Sequence, residues 1–266
     1  MDECNISFIG CGSMGGAVIR AICRKYNPAI VTISAKHLEH AQRLASEVEC
    51  IAADSNAKAA AAGKYVFIAV KPAYVADVMK ETADSFRSDA VIISMAAGIT
   101  LEKLHSMTDR PVVRIMPNMP AQTGEAMTAL SCGDDVKAGE LADITALLKC
   151  AGKVEKVDEK LMDCVTAVSG SGPAYVFMFI EALADAAVRF GMPRQQAYIY
   201  AAQTVKGSAA MVLSDDHCPA ALKDAVCSPG GTTIEGVAAL EKDGFRNAVF
   251  DAVKAAYEKS VNMGRK

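Results

Sequence analysis

The chain of 266 residues, 52% hydrophobic and 22% charged with a formal net charge of −3, is long enough for two globular domains with substantial cores. It has no basic block and no tryptophan, which argues against a nucleic-acid partner. Its nine cysteines form no Cys-x-x-Cys pair and no zinc spacing, so they read as reduced, mostly packed thiols with no metal to hold.

No charged leader precedes the first strand pattern, and the most apolar stretch, Cys164 to Ile180, is interrupted by Gly170, Gly172 and Pro173. A soluble, cytoplasmic protein without membrane contact is the expectation. Cys4 to Ile9 is a short apolar run ending at glycine, as a buried parallel strand does. Gly10-Cys11-Gly12-Ser13-Met14-Gly15 follows, and then a helical stretch carrying Val18, Ile19 and Ile22. Strand, G-x-G-x-x-G and helix make a dinucleotide fingerprint, in which the glycines form a tight turn and let the backbone approach a pyrophosphate.

The next strand, Ile30 to Ile33, runs into Ser34, Ala35, Lys36 and His37, with no carboxylate to accept from a ribose 2′-hydroxyl. A hydroxyl and a cation suit a 2′-phosphate instead, so NADP(H) is favoured, with NAD(H) still accommodated. The alternative for Lys36 is an ordinary solvated loop lysine. Helices are expected at Leu38 to Val48, Asn56 to Ala62, Ala76 to Phe86, Leu101 to Met107 and Val136 to Cys150. Strands are expected at Cys50 to Ala53, Lys64 to Val70, Ala90 to Ser94 and Pro111 to Ile115, and near Met127 to Ser131 and Lys153 to Val157. Val70 leads into Lys71-Pro72, where proline turns the chain, and Ala96-Ala97-Gly98 is small enough for a flat ring to lie against. The alternation describes a Rossmann domain over residues 1–157, an α/β fold with a doubly wound, mostly parallel sheet that binds ligands along one edge.

Beyond Val157 no strand pattern remains, and residues 158–266 read as an all-α domain. Its helices fall at Asp158 to Val168, Pro173 to Phe190, Arg194 to Leu213, Pro219 to Val226, from Ile234, and at Phe245 to Met263. The first two turns of the Pro173 helix are apolar on every face, which predicts burial on all sides and hence a partner subunit to cover them. Ser228-Pro229-Gly230-Gly231-Thr232-Thr233 precedes the periodic run Ile234, Val237, Ala238 and Leu240. Proline loses nothing at a helix start, glycines admit a close ligand, and the free N–H groups there suit an anion. By itself the stretch is equally a capped turn between two helices.

Val165-Thr166-Ala167-Val168-Ser169-Gly170-Ser171-Gly172-Pro173-Ala174-Tyr175 resembles the pyrroline-5-carboxylate reductases, as does Leu222-Lys223-Asp224-Ala225-Val226 with the Ser228 to Thr233 loop. Arg114-Ile115-Met116-Pro117-Asn118-Met119-Pro120 and Val70-Lys71-Pro72 match as well, and the resemblance covers essentially the whole chain. Ala73 and Met119 depart from the family's usual residues without removing a reacting group. The resemblance implies NAD(P)H-dependent reduction of the cyclic imine of 1-pyrroline-5-carboxylate to L-proline, the last step of proline synthesis. It also implies an all-helical dimerisation domain behind the Rossmann domain, with a homodimer that often associates further into a ring. Carried over by position, the cofactor contacts are Gly10, Gly12, Ser13, Met14, Ser34, Lys36, Asn56, Val70, Lys71, Pro72 and Ala97. The substrate contacts are Ser228, Gly231, Thr232 and Thr233, with Asp216 coming from the partner subunit. Thr233 is the candidate catalytic residue, its hydroxyl bonding the ring nitrogen; it is too weak an acid to be the ultimate proton source, which suits a substrate bound as an iminium. Two alternatives stay open. One is another imine or β-hydroxyacid reductase of this architecture, which would use a helix-borne lysine; the other is a nucleotide-sensing protein, which would have let the 228–233 loop decay.

Overall fold

Runs such as Ile-Ser-Phe-Ile, Tyr-Val-Phe-Ile and Val-Ile-Ile-Ser carry no polar face because both sides of each strand are covered. In the computed structural model, which describes residues 5–214 and 218–264, these runs are the centre of one sheet. The elements in order are β1 (Ile6–Ile9), α1 (Ser13–Cys23), β2 (Val31–Ser34), α2 (Leu38–Val48), β3 (Ile51–Ala52), α3 (Asn56–Ala62) and β4 (Tyr65–Ile68). Then come α4 (Val75–Thr82), β5 (Val91–Ser94), α5 (Leu101–His105), β6 (Val112–Met116), β7 (Ala126–Cys132), α6 (Ala138–Leu148) and β8 (Gly152–Lys156). The strand order is β3-β2-β1-β4-β5-β6-β7-β8, and every neighbouring pair is parallel except β6 with β7.

Side chains alternate between two cores. Phe8, Tyr65, Phe67, Val91 and Ile93 pack with residues of α1, α2 and α6. Ile9, Val66, Ile68 and Ile92 pack on the other face with residues of α3, α4 and α5. Phe8 and Phe67 stack with ring centroids 4.3 Å apart, both fully buried; burial of each such side chain is worth about 1.5–3 kcal/mol. The winding reverses between β1 and β4, which makes their carboxyl ends the crevice of a doubly wound sheet.

After β8 the chain is helical. A 3₁₀ turn (Glu159–Leu161) leads into α7 (Met162–Val165) and a π-helical turn (Thr166–Gly170). Then follow α8 (Gly172–Arg189), α9 (Arg194–Ser214), α10 (Pro219–Val226), α11 (Thr232–Lys242) and α12 (Phe245–Gly264). Two compact units emerge: one runs to Ser171 and includes the segment from Ala256 onward, and the other is Gly172–Ala255. The last strand ends at Lys156, while the units separate after Ser171. Ser171 N–H donates to Thr166 O at 2.9 Å, an i→i+5 bond that accounts for the π turn within a Gly-Ser-Gly run.

Among the described residues of the second unit the buried apolar ones are Ala184, Ala197 and Ala201. Phe177 and Met178 of α8 are 61% and 69% exposed. The single chain therefore does not surround this helix, whose composition predicts a partner subunit to cover it. The helical stretch Glu159–Arg189 is 31 residues long and, by length and composition alone, apolar enough to cross a membrane, though the π turn interrupts it. The eight cysteines among the described residues are free thiols. Hydrogen bonding between Cys23 and Cys50 pushes the Cys23 thiol up, with burial adding to it, and holds Cys50 down.

Candidate active site

The fingerprint glycines divide the work between them. Gly10 leaves β1 at φ +102°, and a Cβ there would stand 2.6 Å from the Ala69 carbonyl oxygen. A Cβ on Gly15 would stand 2.6 Å from the Gly10 carbonyl oxygen, so α1 rides against the turn. Gly12 differs: it is the N-cap of α1, and a Cβ there would meet nothing within 4 Å. Two glycines close the turn and the third leaves space in front of a helix start that has no side-chain cap. Helix starts leave their first N–H groups without an intrahelical partner, which is the chemistry a pyrophosphate needs. Ser13 is exposed on the first turn and Met14 is half-buried beside it.

The tip of β2 joins the same place. Gly10 N–H donates to Ser34 O at 2.9 Å, tying the turn to the neighbouring strand. The buried Ser34 donates its hydroxyl proton to Asn56 Oδ1 at 2.9 Å, and Asn56 Nδ2 donates to Glu81 Oε2 at 2.9 Å. Lys36 is exposed, with Nζ 5.9 Å from the centre of the Tyr74 ring. Val70 lies against the Gly10 turn, its Cγ1 3.0 Å from where a Gly10 Cβ would stand. Lys71 and Pro72 open the 3₁₀ turn after β4, and Ala97 packs by Met116, Ala129 and Met162. The sequence-predicted residues Gly10, Ser34, Asn56 and Val70 are thus in one contiguous patch. Tyr74 and Glu81 belong to it too and escape a reading of motifs. Tyr74 stands two residues past Pro72, and Glu81 is an ordinary helix residue 25 positions from Asn56.

The motif blocks beyond β5 carry structural bonds. Asn118 is buried; its Nδ2 donates to Ser169 O at 3.1 Å and Oγ at 3.2 Å, while Oδ1 accepts from Met127 N–H at 3.0 Å. Arg114, 3% exposed at the side chain, donates through Nη1 to Glu159 Oε1 at 3.1 Å, and that oxygen also accepts from Leu101 N–H at 2.6 Å.

In the second unit, Ser228 O accepts from Gly231 N–H at 3.0 Å, closing a tight turn with Pro229 and Gly230 at its centre. Gly230 takes φ +65°, a conformation glycine adopts without strain. A Cβ on Gly231 would lie 2.2 Å from Ser228 Oγ, so a side chain there would displace the Ser228 hydroxyl. Gly231 is then the N-cap of α11, without a side-chain cap, and Thr232 and Thr233 form the first turn. Thr233 is half-buried and Ser228 is exposed. Asp216 lies outside the described residues. Among the described residues no group of three or more His, Cys, Asp or Glu side chains is placed to hold a metal ion.

A doubly wound sheet with an open fingerprint turn, followed by a helical unit, is the architecture of a dinucleotide-binding protein. Residues 5–98 match the family described as NADP oxidoreductase, coenzyme F420-dependent, and residues 159–263 match the family described as pyrroline-5-carboxylate reductase dimerisation. The pyrroline-5-carboxylate reductase of Escherichia coli is 42% identical over 99% of both chains. Two solved structures superpose with a TM-score of 0.90: the Plasmodium falciparum pyrroline carboxylate reductase with NADP bound, 32% identical over 99% of each chain, and the Streptococcus pyogenes 1-pyrroline-5-carboxylate reductase, 34% identical over 98% of this chain and 100% of that one. The chain belongs to the pyrroline-5-carboxylate reductase family.

Proposed function

We propose that this chain reduces 1-pyrroline-5-carboxylate to L-proline, the last step of proline biosynthesis, with NADP(H) favoured and NAD(H) accommodated. The observation that carries the reading is the 228–231 turn, which sets a glycine N-cap and two threonines at the start of α11. When bound, the reduced nicotinamide supplies the hydride. The residues of the chain bind and orient. Backbone groups of Gly10, Gly12, Ser13 and Met14 hold the pyrophosphate at the start of α1. Ser34 and Asn56 take the adenosine ribose, Lys36 is the cation for its 2′-phosphate, and Val70, Lys71, Pro72 and Ala97 line the groove.

The substrate carboxylate rests on N–H groups from Gly231 to Thr233, where each charge-assisted bond contributes about 1.5–3 kcal/mol. Ser228 and Thr232 add hydroxyls at the rim. The ring nitrogen arrives protonated, and the Thr233 hydroxyl oxygen accepts its proton in a hydrogen bond that turns the imine carbon toward the reductant. Asp216 from a second copy would complete the site, which makes dimerisation part of it. Residues 1–157 then serve the cofactor, and residues 158–266 serve the substrate and the dimer. The second copy covers an apolar groove of about 480 Å³ lined by Tyr175, Met178, Phe179, Leu240, Phe245 and Val249. Dimers assemble further into a ring, and the enzyme works in the cytoplasm without a membrane or nucleic-acid partner; the acidic net charge and the free thiols support that setting.

Thr233→Ala and Thr233→Ser test the site. Alanine should lower kcat/KM for the imine by about tenfold or more, from loss of one hydrogen bond to a charged group. Serine should restore most of it, and neither should change the Kd for NADP+. Turnover and substrate affinity of Thr233→Ala within a factor of two of wild type would remove Thr233 from the mechanism.

A further inference from the structure

The relay from Ser34 through Asn56 to Glu81 has a direction, and its end sets it. An ionised carboxylate only accepts hydrogen bonds, a carboxamide both donates and accepts, and a hydroxyl does either. Glu81 Oε2, 2.9 Å from the Asn56 amide, therefore fixes Nδ2 on its own side. Oδ1 must then face Ser34, 2.9 Å away, and the Ser34 proton is committed to it. Ser34 Oγ is left with lone pairs only. At the tip of β2 such an oxygen can accept from a ribose 2′-hydroxyl and cannot donate to a 2′-phosphate. That leaves Lys36 as the cation there, held 5.9 Å from the Tyr74 ring.

We propose that Glu81 is a specificity-determining positioning residue: by orienting the Asn56 amide it keeps Ser34 an acceptor, and so preserves NAD(H) binding at a site that otherwise favours NADP(H). The inference rests on the cofactor site proposed above. Exchanging Glu81 for glutamine lets the Asn56 amide turn over, with Nδ2 toward Ser34 and Oδ1 accepting from the new carboxamide. The Ser34 proton is then released toward a phosphate oxygen. Removing the carboxylate also lessens repulsion of the 2′-phosphate, so both effects have the same sign.

The test is calorimetric titration of NADP+ and NAD+ into wild type and variants, with no substrate and no turnover. Glu81→Gln should raise the ratio of NADP+ to NAD+ affinity roughly 10- to 100-fold, the size of one hydrogen bond to a charged group. Glu81→Asp, which keeps an acceptor, should stay nearer the wild-type ratio. Asp77→Asn removes an equal charge from the same helix α4 without touching the relay and should shift the ratio less than twofold. In a Ser34→Ala background, Glu81→Gln should keep only the charge effect, a shift of less than about twofold like that of Asp77→Asn. An unchanged ratio in Glu81→Gln, an equal shift in Asp77→Asn, or a shift that survives undiminished in Ser34→Ala each overturns the inference while leaving the cofactor site standing. A wild-type protein that binds neither dinucleotide overturns both.

Discussion

Gly12 and Gly15 lie three residues apart in one turn, yet their replacement by alanine should have opposite consequences. At Gly15 the new Cβ would stand 2.6 Å from the Gly10 carbonyl oxygen and 2.9 Å from the Ala69 Cβ, neither of which is a flexible chain end. Overpacking of this kind costs about 1–3 kcal/mol, which for a protein of this size lowers Tm by roughly 2–10 °C. At Gly12 the backbone has φ −67° and ψ −169°, which alanine adopts freely, and the Cβ meets nothing within 4 Å. Two small effects oppose one another there. Alanine restricts the unfolded chain, worth about 0.4–1 kcal/mol, and is a poorer N-cap than glycine by a similar amount. Stability should change by less than about 1 kcal/mol.

The methyl would instead occupy the space in which the pyrophosphate must approach α1. Loss of one charge-assisted hydrogen bond of about 1.5–3 kcal/mol corresponds to roughly a 10- to 100-fold rise in Kd for NADP+. Thermal melts and calorimetric NADP+ titrations on both variants separate the cases. A Gly12→Ala protein that melts as low as Gly15→Ala, or that binds NADP+ within twofold of wild type, would refute the division of labour.

Two further outcomes follow from contacts outside the turn. Glu159→Ala should cost about 2–3 kcal/mol in urea denaturation, because it leaves the buried Arg114 guanidinium and the Leu101 N–H without their shared acceptor; the figure is below that for a fully buried pair because Glu159 is 30% exposed. A loss below about 0.5 kcal/mol would show that the pair adds little. Phe177→Glu, placed where the ring is 61% exposed in the single chain, should yield a folded monomer by light scattering and abolish reduction. An intact dimer would put the interface on another face.

The parallel sheet was legible because strands buried on both faces read as unbroken apolar runs, as in β1, β4 and β5. The reversal at β7 left no mark in composition. It follows from chain length: residues 117–125 are too few for a crossover, so β7 folds back beside β6, with Asn118 Oδ1 holding the Met127 N–H across the bend. The 228–233 loop was legible because its turn demands proline and glycine at fixed places. The π turn at Thr166 was not, since its i→i+5 bond involves no residue type that an α-helix excludes. Glu81 was not legible either; its role depends on a fold that brings α4 beside the start of α3. The apolar surface of α8 exceeds what the single chain buries, and that excess is what pointed to a partner subunit.

The most direct measurement is reduction itself. Purified protein, NADPH and 1-pyrroline-5-carboxylate are mixed, with NADPH followed by absorbance and L-proline quantified by amino-acid analysis, beside a parallel reaction with NADH. The expected result is one proline formed per NADPH consumed, with a higher kcat/KM for NADPH than for NADH. Absence of oxidation with both cofactors would contradict the proposed activity. A clear NADH preference would keep the enzyme and remove Lys36 as the cation for the 2′-phosphate.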